Sequence, residues 1–149
     1  MRINFKNVSP AAFRAQLGLE ELVHKSGLDP KLVEMVKIRA SQLNRCAYCI
    51  DMHTKDARAA GETEQRIYLL SAWEESPFYS ERERAALEWT ETLTLLPERG
   101  APDDVFERVR KHFSDEEMVK LTMAIVAING WNRLEVGFRG DVGEYQAKK

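Results

Sequence analysis

The sequence predicts an all-α fold of about six to seven helices, built as one domain over residues 1–149. Three observations point there. Apolar residues recur at three- and four-residue spacing along most of the chain. Helix-starting signals stand repeatedly in front of those segments. No stretch alternates with period two for long enough to make a strand.

Ser9-Pro10 supplies an N-cap and a first-turn proline, and Gly27 closes that segment after Leu17, Leu19, Leu22 and Val23. Asp29-Pro30 repeats the device ahead of KLVEMVKIRASQL, where Val33, Val36, Ala40 and Leu43 share a face. Asn44-Arg45 is a break, after which a helix carries Cys46 in its first turn and runs to Ala60, with Gly61 as its stop. Thr63 begins a short helix that ends before Pro77.

Ser80 and Glu83 form a capping box for a helix running to about Leu96. Pro102 starts the next, with Val105, Val109 and Phe113 on one side. Ser114 and Glu117 form a second box in front of the last long helix. Its centre, MVKLTMAIVAI, is apolar on nearly all sides, which predicts burial in the core or partly in a subunit contact. The final GDVGEYQAKK reads as a frayed polar tail.

Composition narrows the function. Apolar residues are 44% and charged residues 31%, which is that of a folded, soluble chain. The formal charge of −2 is spread without a basic stripe, which argues against nucleic acid as a partner. No secretory signal is legible at MRINFKNVSP, and the longest apolar run, Met123–Ile128, is far short of a membrane span. The expected location is the cytoplasm, where a C-x-x-C points to catalysis or metal more than to a structural staple.

The two cysteines of the chain fall in RCAYCIDMHTKDA, as Cys46 and Cys49, with His53 four residues further on. On a helix advancing about 100° per residue, Cys49 lies about 60° and His53 about 20° from Cys46, so all three share a face. One sulfur can attack, the other resolve, and the imidazole can take a proton. A helix dipole favours Cys46 as the acidic thiol, whereas the imidazole one turn away favours Cys49. The direct hydrogen bond is the stronger perturbation, so Cys49 is the expected attacking thiol and Cys46 the resolving one.

Two other readings of the same spacing stay open. The cysteines could be small core residues. They could also be half of a zinc site, although the chain offers no second C-x-x-C or H-x-x-x-H, and His24 and His112 read as surface histidines on amphipathic helices.

Glu34 stands twelve residues before Cys46. The pattern E-x11-C-x-x-C-x-x-x-H resembles the core of the AhpD-like alkylhydroperoxidases of the carboxymuconolactone decarboxylase superfamily. LVEMVKIRASQLNRCAYCIDMHTKDARAAGETEQRI, SERERAALEWTETLT and AINGWNR agree with it, so the likeness covers about Leu32 to Phe138. The resemblance implies an all-helical thiol peroxidase with no haem, flavin or metal, reducing alkyl or hydrogen peroxides. It implies Cys49 as peroxidatic thiol, Cys46 as resolving thiol, and His53 and Glu34 as a proton relay.

It further implies an external dithiol or protein reductant and a homo-oligomer, a trimer or a hexamer built from dimers. One position departs from the family pattern: Tyr48 stands where better-studied members carry a histidine, and a phenol titrating near pH ~10 is a poor base at neutrality.

Alone, Glu34 could equally be an exposed glutamate pairing with Lys31, Lys37 or Arg39. Trp131, Asn132 and Arg133 match a family pattern and could line the site, line a subunit contact or pack in the core. Trp73, Phe78 and Tyr79 could border a substrate entrance or form a packed loop. The competing functions are a lactone decarboxylase of the same superfamily and a non-catalytic redox sensor.

Overall fold

The computed structural model describes residues 1–147. Among these residues there are nine α-helices and no strand, so the all-α class holds while the helix count exceeds the expected six to seven. The helices are α1 (Phe5–Val8), α2 (Pro10–His24), α3 (Pro30–Leu43), α4 (Ala47–Ala59), α5 (Glu64–Leu69), α6 (Glu81–Thr94), α7 (Leu96–Arg99), α8 (Asp103–Val109) and α9 (Asp115–Phe138). The additional ones, α1 and α7, are four residues each, too short to leave a periodic pattern. The segment after Thr63 is also shorter than expected: α5 passes into a 3-10 turn at Leu70–Ala72 and irregular chain precedes Pro77.

The capping signals act where the sequence puts them. Ser80 and Ser114 each accept from the backbone N–H three residues on, while Glu83 and Glu117 reach back to the cap N–H. Asp29 accepts from Lys31 N–H at 2.9 Å and fixes the start of α3.

α3 is the central helix and packs against α4, α6 and α9. Val36 and Ile38 on it, Leu87 on α6, and Leu121 and Ile125 on α9 are all buried. Burying side chains of this size contributes about 1.5–3 kcal/mol each. α9 is buried along much of its length by Ala124, Ala127 and Ile128, yet Val119 and Val126 stay exposed on its outer side, as does Leu22 on α2. No helix among the described residues is long and apolar enough to cross a membrane.

The chain after α9 is not a frayed tail. Gly143 N–H donates to Asp51 Oδ2 at 3.3 Å, Lys55 Nζ donates to the Tyr145 carbonyl at 3.0 Å, and Tyr145 Oη donates to Asp56 Oδ1 at 2.8 Å. Gly143 and Tyr145 therefore lie along α4, held by Asp51, Lys55 and Asp56 on that helix. The last two lysines of the expected tail lie outside the described residues.

Candidate active site

The link between α3 and α4 sets the site. α3 ends with Arg45 in the left-handed region at φ 56°. Arg45 N–H donates to Gln42 O and Cys46 N–H to Ser41 O, the paired closing bonds of a Schellman motif with arginine in the usual glycine place. Asn44 Nδ2 donates to Asn132 Oδ1 at 2.8 Å, and Asn132 Nδ2 donates to Ser41 Oγ at 3.0 Å. Asn132, fully buried on α9, thus clamps the end of α3 and the entry to α4 together.

Cys46 is therefore not inside the first turn of α4, as the sequence suggests, but is its N-cap, in extended conformation, with Sγ accepting from Cys49 N–H at 3.4 Å. The left-handed Arg45 delays the helix by one residue. Cys49 then occupies the first turn, where the helix dipole favours a thiolate. The dipole and the histidine, which disagree when read from the sequence, both favour Cys49. Cys46 and Cys49 are bonded as a disulfide, with Cα atoms 5.4 Å apart. Both are buried among Ala40 and Ile128, with Tyr48 and Trp131 packed alongside.

His53 follows one turn after Cys49 and is buried. Its Nδ1 lies 2.9 Å from Glu34 Oε2 on α3, a contact that gives Nδ1 the proton and leaves Nε2 as the free base of the neutral ring. None of the three cations expected near Glu34 pairs with it among the described residues: Lys37 pairs with Glu20, Arg39 with Glu91, and Lys31 with no carboxylate. Asp56 completes a cluster, since one ligand atom each of Glu34, His53 and Asp56 lie within 4.8 Å of one another. Two carboxylates and an imidazole are a donor set for a divalent ion, but the Glu34–His53 hydrogen bond already engages two of the three groups.

A cavity of about 200 Å³ opens onto Cys49 and His53. Phe13, Leu17, Met52 and Trp131 form its apolar wall, and Lys6, Glu20, Tyr48 and Glu135 its polar one. Trp131 Nε1 donates to Glu20 Oε2 at 3.2 Å, which fixes the indole. A larger groove of about 810 Å³ lies on the α6–α8 side and touches none of Glu34, Cys46, Cys49 or His53. His112 lines that groove and His24 is exposed, so neither approaches the thiols.

Burial, reinforced by Glu135, Asp51 and Asp56, pushes the Tyr48 phenol above its ordinary value, so it is no base at neutral pH. Of the aromatic residues around Pro77, Trp73 and Tyr79 are buried in the core and Phe78 is exposed; none lines the thiol cavity. Arg133 is held on the surface by Asn129. Glu135, Asp56 and Tyr145 are site neighbours that sequence reasoning missed. The available signal was spacing alone: Glu135 stands four residues after Trp131, on the same face of α9.

The model of the carboxymuconolactone decarboxylase family matches residues 10–92, a span that holds Glu34, Cys46, Cys49 and His53. The chain belongs to that family. As a member of it, the chain is 45% identical over 135 residues to the uncharacterized protein YdfG of Bacillus subtilis, covering 91% of this chain and 92% of the relative.

Among solved structures it is similar to ATU0492 of Agrobacterium tumefaciens, a protein of unknown function proposed to be the antioxidant defence protein AhpD. That likeness has a TM-score of 0.93 at 52% identity and covers 97% of this chain and 99% of that one. A peroxidase-related protein with an AhpD core from Ralstonia eutropha shares the fold, with a TM-score of 0.82 at 21% identity over 93% of this chain and 74% of that one. The debrominase Bmp8 shares it as well, with a TM-score of 0.79 at 19% identity over 87% of this chain and 70% of its own. This family member is AhpD-like.

Proposed function

We propose that the protein is a thiol-dependent peroxidase that reduces alkyl or hydrogen peroxides while Cys46 and Cys49 cycle between dithiol and disulfide. The observation that carries this reading is the shared position of Cys49, its partner Cys46 and the Glu34-backed His53 beside one small, mostly apolar cavity. In the reduced protein His53 draws the proton from Cys49, and Glu34 holds the imidazole in the accepting tautomer. The thiolate attacks the terminal peroxide oxygen, the O–O bond breaks, and a sulfenic acid and an alcohol result. Cys46 then displaces the sulfenic oxygen as water and forms the disulfide.

The cycle requires an external dithiol, small or protein-borne, to return the electrons. Both sulfurs are buried, so that reductant enters through the cavity or after the start of α4 has opened. We also infer a homo-oligomer, a trimer or hexamer, whose contacts would cover the apolar surface left by Leu22, Val119 and Val126.

Mass spectrometry of the reduced protein after one equivalent of an alkyl hydroperoxide tests the reading. A fast, intramolecular Cys46–Cys49 bond is expected; slow and unselective oxidation would reduce the pair to core thiols. Cys49→Ser separates the alternatives. A peroxidase loses turnover, a lactone decarboxylase keeps its activity, and a redox sensor oxidises once without efficient turnover from any reductant.

A further inference from the structure

We propose that Glu135 is the general acid that protonates the oxygen leaving the peroxide, a role that rests on the thiol-peroxidase reading above. Glu135 is 5% exposed on α9 and lines the same cavity as Cys49 and His53. Among the described residues its carboxyl takes part in no hydrogen bond and no ion pair. Its oxygens are not wholly shut off from solvent, and at the cavity wall the carboxyl can stay protonated or meet a ligand that brings a donor.

The backbone is shaped around this carboxyl. Gly140 follows the end of α9, and its N–H donates to the Glu135 carbonyl at 2.9 Å. A Cβ built at Gly140 would overlap Glu135 Oε2 and would stand 3.4 Å from Cγ of Tyr48. The missing side chain at position 140 is what leaves room for the acid beside the Tyr48 ring.

The charges facing Glu135 come from several elements. Lys6 on α1 favours its ionised form, whereas Asp141 after α9 opposes it. Glu20 on α2 and Tyr48 and His53 on α4 line the cavity with it, and Glu144 lies with it and Lys6 around the neighbouring opening. Burial is the largest influence, and the net result is a carboxyl pushed above its ordinary range, toward the protonated state.

The competing proton source is His53, once it has taken the proton of Cys49. Attack by the Cys49 thiolate on RO–OH forms the S–O bond and breaks the O–O bond, and the electron pair departs with RO⁻. Alkoxides are strong bases, so expulsion is slow without a proton. Glu135 gives that proton and becomes a carboxylate, and ROH leaves. The Cys46 thiol then attacks the sulfenic sulfur: the S–S bond forms, the S–O bond breaks, and hydroxide takes the thiol proton and leaves as water. The proton that His53 took from Cys49 returns through solvent to Glu135. The sum is two thiols and ROOH giving disulfide, ROH and water.

The test is the single-turnover rate of Cys49 oxidation in Glu135→Gln, which keeps the shape and removes the transferable proton. Gly140→Ala displaces the carboxyl without altering it. Each is measured with ethyl hydroperoxide, whose leaving alkoxide needs a proton, and with peracetic acid, whose leaving carboxylate does not. Both variants should slow ethyl hydroperoxide by roughly 100-fold and leave peracetic acid within about 3-fold of the unaltered protein. The fall in rate as pH rises through the Glu135 titration should vanish in Glu135→Gln.

Equal losses with both oxidants would make Glu135 structural, and no loss would leave His53 as the proton source; either overturns the proposal. If the unaltered protein oxidises Cys49 with neither oxidant, the peroxidase reading fails first. If it does so with both and the variants match it, the role of Glu135 alone fails.

Discussion

Nδ1 of His53 on α4 lies 2.9 Å from Oε2 of Glu34 on α3, across 19 residues of sequence. The carboxylate decides which ring nitrogen carries the proton, and so which one can accept another. Glu34→Gln breaks that assignment, because an amide can present either a donor or an acceptor to Nδ1. The expected outcome is a Cys49 oxidation rate lower by roughly 100-fold with the fold intact, read by single-turnover peroxide kinetics and circular dichroism. A rate within about 2-fold of the unaltered protein would remove Glu34 from the relay.

Asn132 is the second residue whose loss should be felt at the thiols. It is fully buried and bridges Asn44 and Ser41 around the α3–α4 link. Asn132→Ala leaves both partners without their bond and opens a small void, a loss of about 2 kcal/mol. For a chain of this size that lowers the Tm by roughly 4–8 °C. The measurement is thermal denaturation of the reduced protein, and an unchanged Tm would show that water replaces the amide there.

What the sequence discloses and what it hides follow from how local each signal is. The capping boxes at Ser80–Glu83 and Ser114–Glu117 are legible because both partners lie within one turn. The face shared by Cys49 and His53 is legible for the same reason. Glu34 is not: its spacing fits a surface glutamate equally well, and the family pattern singles it out. Cys46 is misplaced by one residue because a left-handed arginine, normally a glycine position, gives no warning in the sequence. Glu135 and Tyr145 stay hidden because they reach the site only through the packing of α9 and the chain after it against α4, which no short-range rule encodes.

The segment after α9 gives a third prediction. Tyr145 Oη donates to Asp56 Oδ1 at 2.8 Å, and burial together with Asp56 pushes the phenol up to about 12, so it remains a donor at any physiological pH. Tyr145→Phe removes that bond at a cost of about 1 kcal/mol. Amide hydrogen exchange at residues 141–147 should accelerate several-fold, with the helices unchanged. Unaltered protection would mean that Lys55, through the carbonyls of Gly143 and Tyr145, and Asp51, through the Gly143 N–H, hold the segment without the phenol.

Glu91 contributes to the response to acid. It is 4% exposed on α6, and its Oε1 accepts from Arg39 Nε at 2.7 Å and Trp73 Nε1 at 2.8 Å, while Oε2 faces Arg99 Nη1 at 3.2 Å. Burial alone would push this carboxyl up. The Trp73 N–H and the two guanidiniums outweigh it, and the group is held below its ordinary range. In the window between that lowered value and the unfolded one, near 4.3, the unfolded chain binds more protons, so stability rises with pH. The contribution is complete above the unfolded value and is lost as pH falls through the folded one. Glu91→Gln leaves the partly buried Arg39 without its counter-charge and should cost about 3 kcal/mol at neutral pH. The gap between the two proteins should narrow as pH drops from about 5 to about 3, because the unaltered chain loses its carboxylate there while the amide does not titrate. Urea denaturation across that range reads the difference directly, and a gap that stays constant with pH would show that Glu91 makes no contribution to the acid response.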